Sequence, residues 1–234
     1  PYNKNLNKIK VYEPGKTGRP DSKVKSVKLS SNESPLSFSS KTLKKIKETK
    51  INLEKYPDPD CTRLRLKIAQ IYNISKNNII FGNGSDEIFF LIAYCFLNPK
   101  TEGLYSKHAF LIYPIAINAA GGRCSVANEK NFKADVNALL NKCNKNTRVC
   151  FIANPNNPTG TYLNKRDIKR LREGLPKKCL LVIDSAYSEY VVEKDYSDSL
   201  SYAKKRNDII VTRTFSKIFG ISSQRLGWAY CPKD

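Results

Sequence analysis

The chain has 234 residues, 40% of them apolar and 10% aromatic, enough to bury a sizeable core and too apolar for a disordered polymer. Its 41 basic and 21 acidic residues leave a net charge of +20. The lysines are spread along the whole chain with no RNP, zinc-finger or helix-turn-helix pattern, so the charge speaks for attraction of small anions rather than for nucleic-acid binding.

Seven cysteines occur singly, without a C-x-x-C pair, beside one histidine, which argues against a disulfide framework and a zinc site. They are expected to be small buried hydrophobes in a reducing cytoplasm. The longest apolar run, Ile88 to Leu97, is too short to span a bilayer and is broken by Asn98-Pro99. The polar N-terminus has no leader-like segment, and no membrane partner is expected. With no methionine anywhere, the sequence reads as a fragment.

In chain order, the first thirty-odd residues, rich in Lys, Pro, Gly and Ser, read as an extended arm. A short helix is expected from Lys41 to Glu48, then a proline-punctuated turn, "YPDPD" (Tyr56 to Asp60). A helix follows through "TRLRLKIAQIY", with Leu64, Ile68 and Ile71 on one face. "NNIIFGNGSDEIFFLIAYCF" predicts a strand, a glycine turn and a helix capped by Ser85 and Asp86. Further strands are expected at Gly103–Ser106, Arg123–Ala127, Arg148–Ala153, Leu180–Asp184, Asp208–Thr212 and Leu226–Cys231, with helices at Asp135–Cys143 and Lys165–Glu173. Short apolar strands alternating with helices predict an α/β fold with a mainly parallel sheet covered on both faces. Ligands of such sheets bind beyond the carboxyl ends of the strands, which selects the loops at Gly82–Asp86, Asn154–Gly160, Asp184–Tyr187 and Thr214–Lys217.

Each loop alone has an ordinary explanation: a turn for "NPNNPTG", a salt bridge or cap for Asp184, a surface lysine for Lys217. Together they hold an unusual inventory. A glycine turn opening a helix offers free N–H groups and a favourable dipole to an anion, so Ser85, Asp86, Ser216 and Arg225 could hold a phosphate. Lys217 could form an imine with an aldehyde, Asp184 could pair with a protonated ring nitrogen, and Asn157 and Tyr187 could bond a ring hydroxyl. That is the inventory for pyridoxal 5'-phosphate.

The ordered series "SNESP", "YPDPD", "GNGSDE", "HAFLIYPIA", "NPNNPTG", "DSAYSEY" and "TFSKIFGISSQRLGW" resembles the fold-type I aminotransferases. Within them it most resembles the histidinol-phosphate aminotransferases, from about residue 12 to the end of the chain. The resemblance implies a pyridoxal-phosphate-binding large domain over residues 36–234, preceded by an arm and the start of a small domain over 1–35. It implies that Lys217 bonds the cofactor as an imine and later shuttles a proton. Asp184 would keep the pyridine nitrogen protonated, and Asn157 and Tyr187 would bond the ring oxygen. Ser85, Asp86, Ser216 and Arg225 would bind the phosphate and Phe110 would stack on the ring. Tyr56 would reach the phosphate of a partner subunit in a homodimer, and Tyr12 and Asn32 would approach the substrate. The implied reaction is amino-group exchange between L-histidinol phosphate and 2-oxoglutarate in histidine biosynthesis.

Two departures stand out. Residues 184–187 read Asp-Ser-Ala-Tyr where many members have Asp-Glu-Ala-Tyr. The chain also ends at Asp234, where family members continue to complete the small domain and supply an arginine for the substrate's α-carboxylate. An aromatic-amino-acid aminotransferase or a threonine-phosphate decarboxylase of the same fold is the nearest alternative. A cofactor-sensing regulator would need an upstream helix-turn-helix, and a basic binding protein with a degenerate site would not need all of Lys217, Asp184, Asn157, Tyr187 and Arg225.

Overall fold

The computed structural model describes residues 3–10, 30–49 and 53–233; Tyr12 lies outside them. Its helices are α1 (Ser40–Glu48), α2 (Thr62–Tyr72), α3 (Gly84–Phe96), α4 (Ile112–Ala119), α5 (Val136–Lys142), α6 (Lys165–Gly174) and α7 (Leu200–Ala203). Its strands are β1 (Ile79–Asn83), β2 (Glu102–Ser106), β3 (Arg123–Ala127), β4 (Glu129–Lys130), β5 (Lys133–Ala134), β6 (Thr147–Ala153), β7 (Leu180–Asp184), β8 (Ile209–Thr214) and β9 (Leu226–Tyr230). β4 and β5 form a small hairpin, and the others make one seven-stranded sheet in the order β1-β9-β8-β7-β6-β2-β3. From β3 through β8 all neighbours are parallel, whereas β9 runs against both β8 and β1.

Why the strands are continuous apolar runs is visible in where each residue packs. Cys150, Ile152, Leu181, Ile183, Ile209, Val211 and Trp228 face one layer, built with Ile68 of α2, Leu139 of α5 and Leu171 of α6. Val149, Phe151, Leu180, Val182, Ile210 and Ala229, in the alternate positions, face the other, with Ile88, Phe89 and Ile92 of α3 and Ala116 and Ile117 of α4. Each fully buried aliphatic side chain contributes about 1.5–3 kcal/mol, so both faces of the sheet need a helical cover.

Local chemistry sets the helix starts. Ser39, Asp135 and Asn164 cap α1, α5 and α6 by accepting from Thr42, Asn137 and Asp167 amides. In the "YPDPD" turn, Asp58 accepts from the Thr62 amide at 2.7 Å and opens α2. That bond is the main cause of a depressed Asp58 pKa.

Several expectations are corrected. Residues Lys4–Lys8 form a short 3-10 helix rather than an extended stretch, and Asn3 and Asn5 donate to carbonyls of Ala119 and Gly121 at the end of α4. Ile71 is 61% exposed although Ile68 of the same helix is buried. Only Cys150 and Cys179 are buried, while Cys95 and Cys124 are exposed. Ser85 and Asp86 do not cap α3: the cap position is Asn83, and Glu87 reaches back to its amide at 2.7 Å. Among the described residues no helix is long and apolar enough to cross a membrane, and no group of acidic, His and Cys side chains could hold a metal.

Candidate active site

Because β9 is antiparallel to β8 and β1, its first residues lie at the same rim as the carboxyl ends of β1, β6, β7 and β8. That rim surrounds a cavity of about 450 Å3. Ser85, Asp86, Phe110, Asn157, Asp184, Tyr187, Ser216, Lys217, Arg225 and Asn32 all line it. Tyr56 does not; its side chain is fully exposed to solvent, away from this cavity of its own chain.

Asp184 closes β7 and is 5% exposed. Its Oδ2 accepts from the Tyr113 hydroxyl at 2.9 Å. Its Oδ1 accepts from the Ala186 amide at 3.2 Å and the Thr212 hydroxyl at 3.3 Å. Burial pushes the Asp184 pKa up to about 6; the nearby Asp86 carboxylate adds to this, and the three donors oppose it. No cation pairs with this carboxylate among the described residues, so the site presents a buried acid suited to a ligand N–H.

Lys217 follows β8 and its Nζ donates to the Ser31 carbonyl at 3.1 Å, lying 5.4 Å from the centre of the Tyr187 ring. The Asn32 amide donates to the Tyr187 hydroxyl at 3.0 Å and to the Asn157 Oδ1 at 3.4 Å. Asn32, assigned from sequence to the substrate side, therefore sits on the two groups assigned to a ring oxygen. It adopts a left-handed backbone, with φ of 52°, which asparagine tolerates better than most residues.

The anion-binding corner is built around Arg225. Its Nη1 lies 3.4 Å from Ser216 Oγ and its Nη2 3.4 Å from Asp86 Oδ2. The amides of Ser85 and Asp86 belong to the first turn of α3, where no intrahelical carbonyl can meet them. Burial raises the Asp86 pKa, against the pull of Arg225 and Lys217. Two glycines make this corner possible. A Cβ on Gly84, whose φ is +75°, would come 2.5 Å from Arg225 Nη2, and one on Gly227 would come 2.4 Å from the Ser85 nitrogen.

Behind this inner ring stand residues that the sequence reading did not single out. Arg213, 5% exposed, bonds Glu189 at 2.6 Å and Asp198 at 2.5 Å, and Asp198 O accepts from the Ser185 hydroxyl. This network, buried at Arg213 and half-exposed at its two carboxylates, ties the loop that carries Tyr187 to β8. His108 clasps Glu129 through both its amide, at 2.9 Å, and its ring, at 2.7 Å. Burial works against the charge on Glu129, but the bonds from the His108 ring and amide and from Ser106 hold its pKa below the usual range. The His108 carbonyl accepts from Asn156, which joins the Phe110 loop to the Asn157 loop. Tyr113 and Thr212, which bond Asp184, were also missed. Their only signal in sequence is a hydroxyl inside an otherwise apolar run, which is common in cores.

The model for the family "Aminotransferase class I and II" matches residues 24–234, and the chain belongs to that family. It is 43% identical over 222 residues to a histidinol-phosphate aminotransferase of Maricaulis maris, covering 95% of this chain and 61% of that protein. It is 41% identical over 227 residues to one of Pelagibacter ubique, covering 97% and 62%. The chain thus spans about 60% of the length of the curated relatives it matches. Among solved structures, its fold resembles histidinol-phosphate aminotransferase from Sinorhizobium meliloti in complex with pyridoxal-5'-phosphate, with a TM-score of 0.80 at 24% identity, covering 87% of this chain and 55% of that one. It also resembles L-threonine-O-3-phosphate decarboxylase from Porphyromonas gingivalis, with a TM-score of 0.65 at 27% identity, covering 78% and 55%.

Proposed function

We propose that the whole protein is a pyridoxal-phosphate enzyme that exchanges an amino group between L-histidinol phosphate and 2-oxoglutarate, working as a homodimer. The observation that carries the cofactor reading is the pairing of two unmet demands across one cavity. Asp184 is a buried carboxylate with no cation paired to it among the described residues, and the first turn of α3 with Arg225 is a cradle for an anion. A ring that is cationic on one side and carries a phosphate on another meets both. The names of the relatives above 40% identity favour the histidinol-phosphate substrate over the threonine-phosphate alternative.

When bound, the cofactor draws electrons from the substrate's α-carbon. Asp184 accepts the ring N–H and keeps that charge in place. Asn157 and Tyr187 would bond the ring oxygen, and Phe110 would cover the ring and exclude water. Arg225, Ser216 and the Ser85 and Asp86 amides hold the phosphate. Lys217 supplies the amine that anchors the cofactor, and its Nζ afterwards carries a proton to and from the substrate. Tyr56, exposed on its own subunit, is free to reach the phosphate held by a partner.

The test adds pyridoxal phosphate to the purified whole protein, reduces with borohydride and maps the modified lysine by mass spectrometry. One dominant adduct on Lys217 is expected, against weak diffuse labelling of surface lysines. Lys217→Ala is expected to lose the adduct and all turnover while keeping the fold. Near wild-type turnover in that variant would sink the assignment. A panel of L-histidinol phosphate, O-phosphothreonine and aromatic amino acids then reads the substrate class.

A further inference from the structure

We propose that Tyr113 is a positioning residue of this site: its hydroxyl holds one oxygen of Asp184, keeping the carboxylate ionised and its remaining acceptor position turned to the cavity. The purpose of this contact rests on the cofactor reading above, while the contact itself does not.

Tyr113 is completely buried in α4. Its ring stacks on Phe151 of β6 at 5.1 Å and meets Phe89 of α3 edge-on at 5.1 Å. It also meets Phe110, the aromatic wall of the cavity, edge-on at 5.9 Å. Packing on these rings leaves the hydroxyl little freedom, and a buried hydroxyl needs a partner. That partner is Asp184 Oδ2 at 2.9 Å. An ionised carboxylate offers about four acceptor positions. Tyr113, the Ala186 amide and Thr212 occupy three of them, leaving about one for a ligand.

A donor bonded to the charged form favours that form, so Tyr113 opposes the burial that drives Asp184 toward its acid. The other titratable groups facing this pair act in known directions. Asp86 on α3 raises the Asp184 pKa, and burial first, then Asp184 itself, then Asp86 and Tyr187 raise that of Tyr113. Lys217 and Arg225 act on Asp86. Losing the Tyr113 hydroxyl therefore shifts Asp184 further toward protonation, the direction in which burial and Asp86 already push it.

The test compares Tyr113→Phe with Tyr105→Phe, which removes a hydroxyl from β2 without touching Asp184. An NMR titration of the isotopically labelled Asp184 carboxyl carbon in the cofactor-free protein reads the ionisation directly. Pyridoxal phosphate affinity across the same pH range reads its consequence, with the cofactor's own titration cancelling between proteins. In Tyr113→Phe both midpoints are expected to rise by about one pH unit, and in Tyr105→Phe to stay. An unmoved Asp184 midpoint overturns the proposal, as does an equal shift in Tyr105→Phe. Cofactor binding that is normal in the wild type and unchanged in Tyr113→Phe overturns it too. If the wild type binds no cofactor while the Asp184 midpoint still moves, the cofactor reading fails and the control of Asp184 by Tyr113 stands.

Discussion

Gly227→Ala is the sharpest probe of how the anion cradle is built. Gly227 lies on β9, paired with Gly82 of β1 and Thr214 of β8. Its added Cβ would stand 2.4 Å from the Gly84 carbonyl carbon and 2.4 Å from the Ser85 nitrogen. Comfortable carbon contacts lie near 3.5–4.0 Å, so the turn into α3 must withdraw by about 1 Å. Both obstacles are backbone atoms, and no side-chain rotation can relieve them. Overpacking of this kind costs about 1–3 kcal/mol, which for a chain of this size lowers Tm by about 2–6 °C. The same retreat carries the Ser85 amide away from β9 and out of its place in the cradle. A hydrogen bond at about 2.9 Å does not survive an extra ångström, and one lost bond to a phosphate weakens binding about tenfold or more. The assay is a thermal melt with and without pyridoxal phosphate, followed by a cofactor titration. Wild-type Tm together with wild-type cofactor affinity would refute the geometry argued for this corner.

Two further outcomes follow from the same site. Arg225→Lys keeps the charge but loses the two-pronged guanidinium, and should weaken pyridoxal phosphate binding about tenfold in a fluorescence or absorbance titration; equal affinity would remove Arg225 from the phosphate site. The folded pKa of Asp184, about 6, lies above its ordinary value of 3.8, so the fold prefers the protonated acid. Its contribution to the stability of the cofactor-free protein is full below the ordinary value and is lost as pH rises through about 6, by roughly 3 kcal/mol at most. Urea denaturation of Asp184→Asn should lack this slope; identical pH dependence in both proteins would contradict the burial argument.

Most of the elements could be read from the chain because their signals are local. The segments Leu180–Asp184 and Arg123–Ala127 became strands with the expected bounds, and "TRLRLKIAQIY" became α2 over Thr62–Tyr72. Turn and cap chemistry lies within a few residues of each boundary, so sequence neighbours suffice to reveal it. The chemically distinctive residues were equally legible: Lys217, Asp184, Asn157, Tyr187, Ser216, Arg225, Ser85, Asp86 and Phe110 converge on one cavity. Apart from Phe110, which precedes α4, they stand within a few residues of the strand ends and helix start that the alternating pattern locates.

What depends on distant pairing was not legible. The reversal of β9 between β1 and β8 brings Arg225 to the rim shared with Lys217, and strand order leaves no mark on local composition. Tyr113 looked like one more core aromatic until α4 packed its hydroxyl against Asp184, a residue 71 positions away. Ile71 kept the helical spacing of Ile68 yet stayed exposed, because which apolar side chain is covered depends on the neighbour the fold supplies. The sequence by itself determined which groups can do chemistry and where each element begins, since those are properties of a residue and its near neighbours. The tertiary structure decided which groups meet, how deeply Asp184 is buried and what opposes its protonation, since burial and charge act across space.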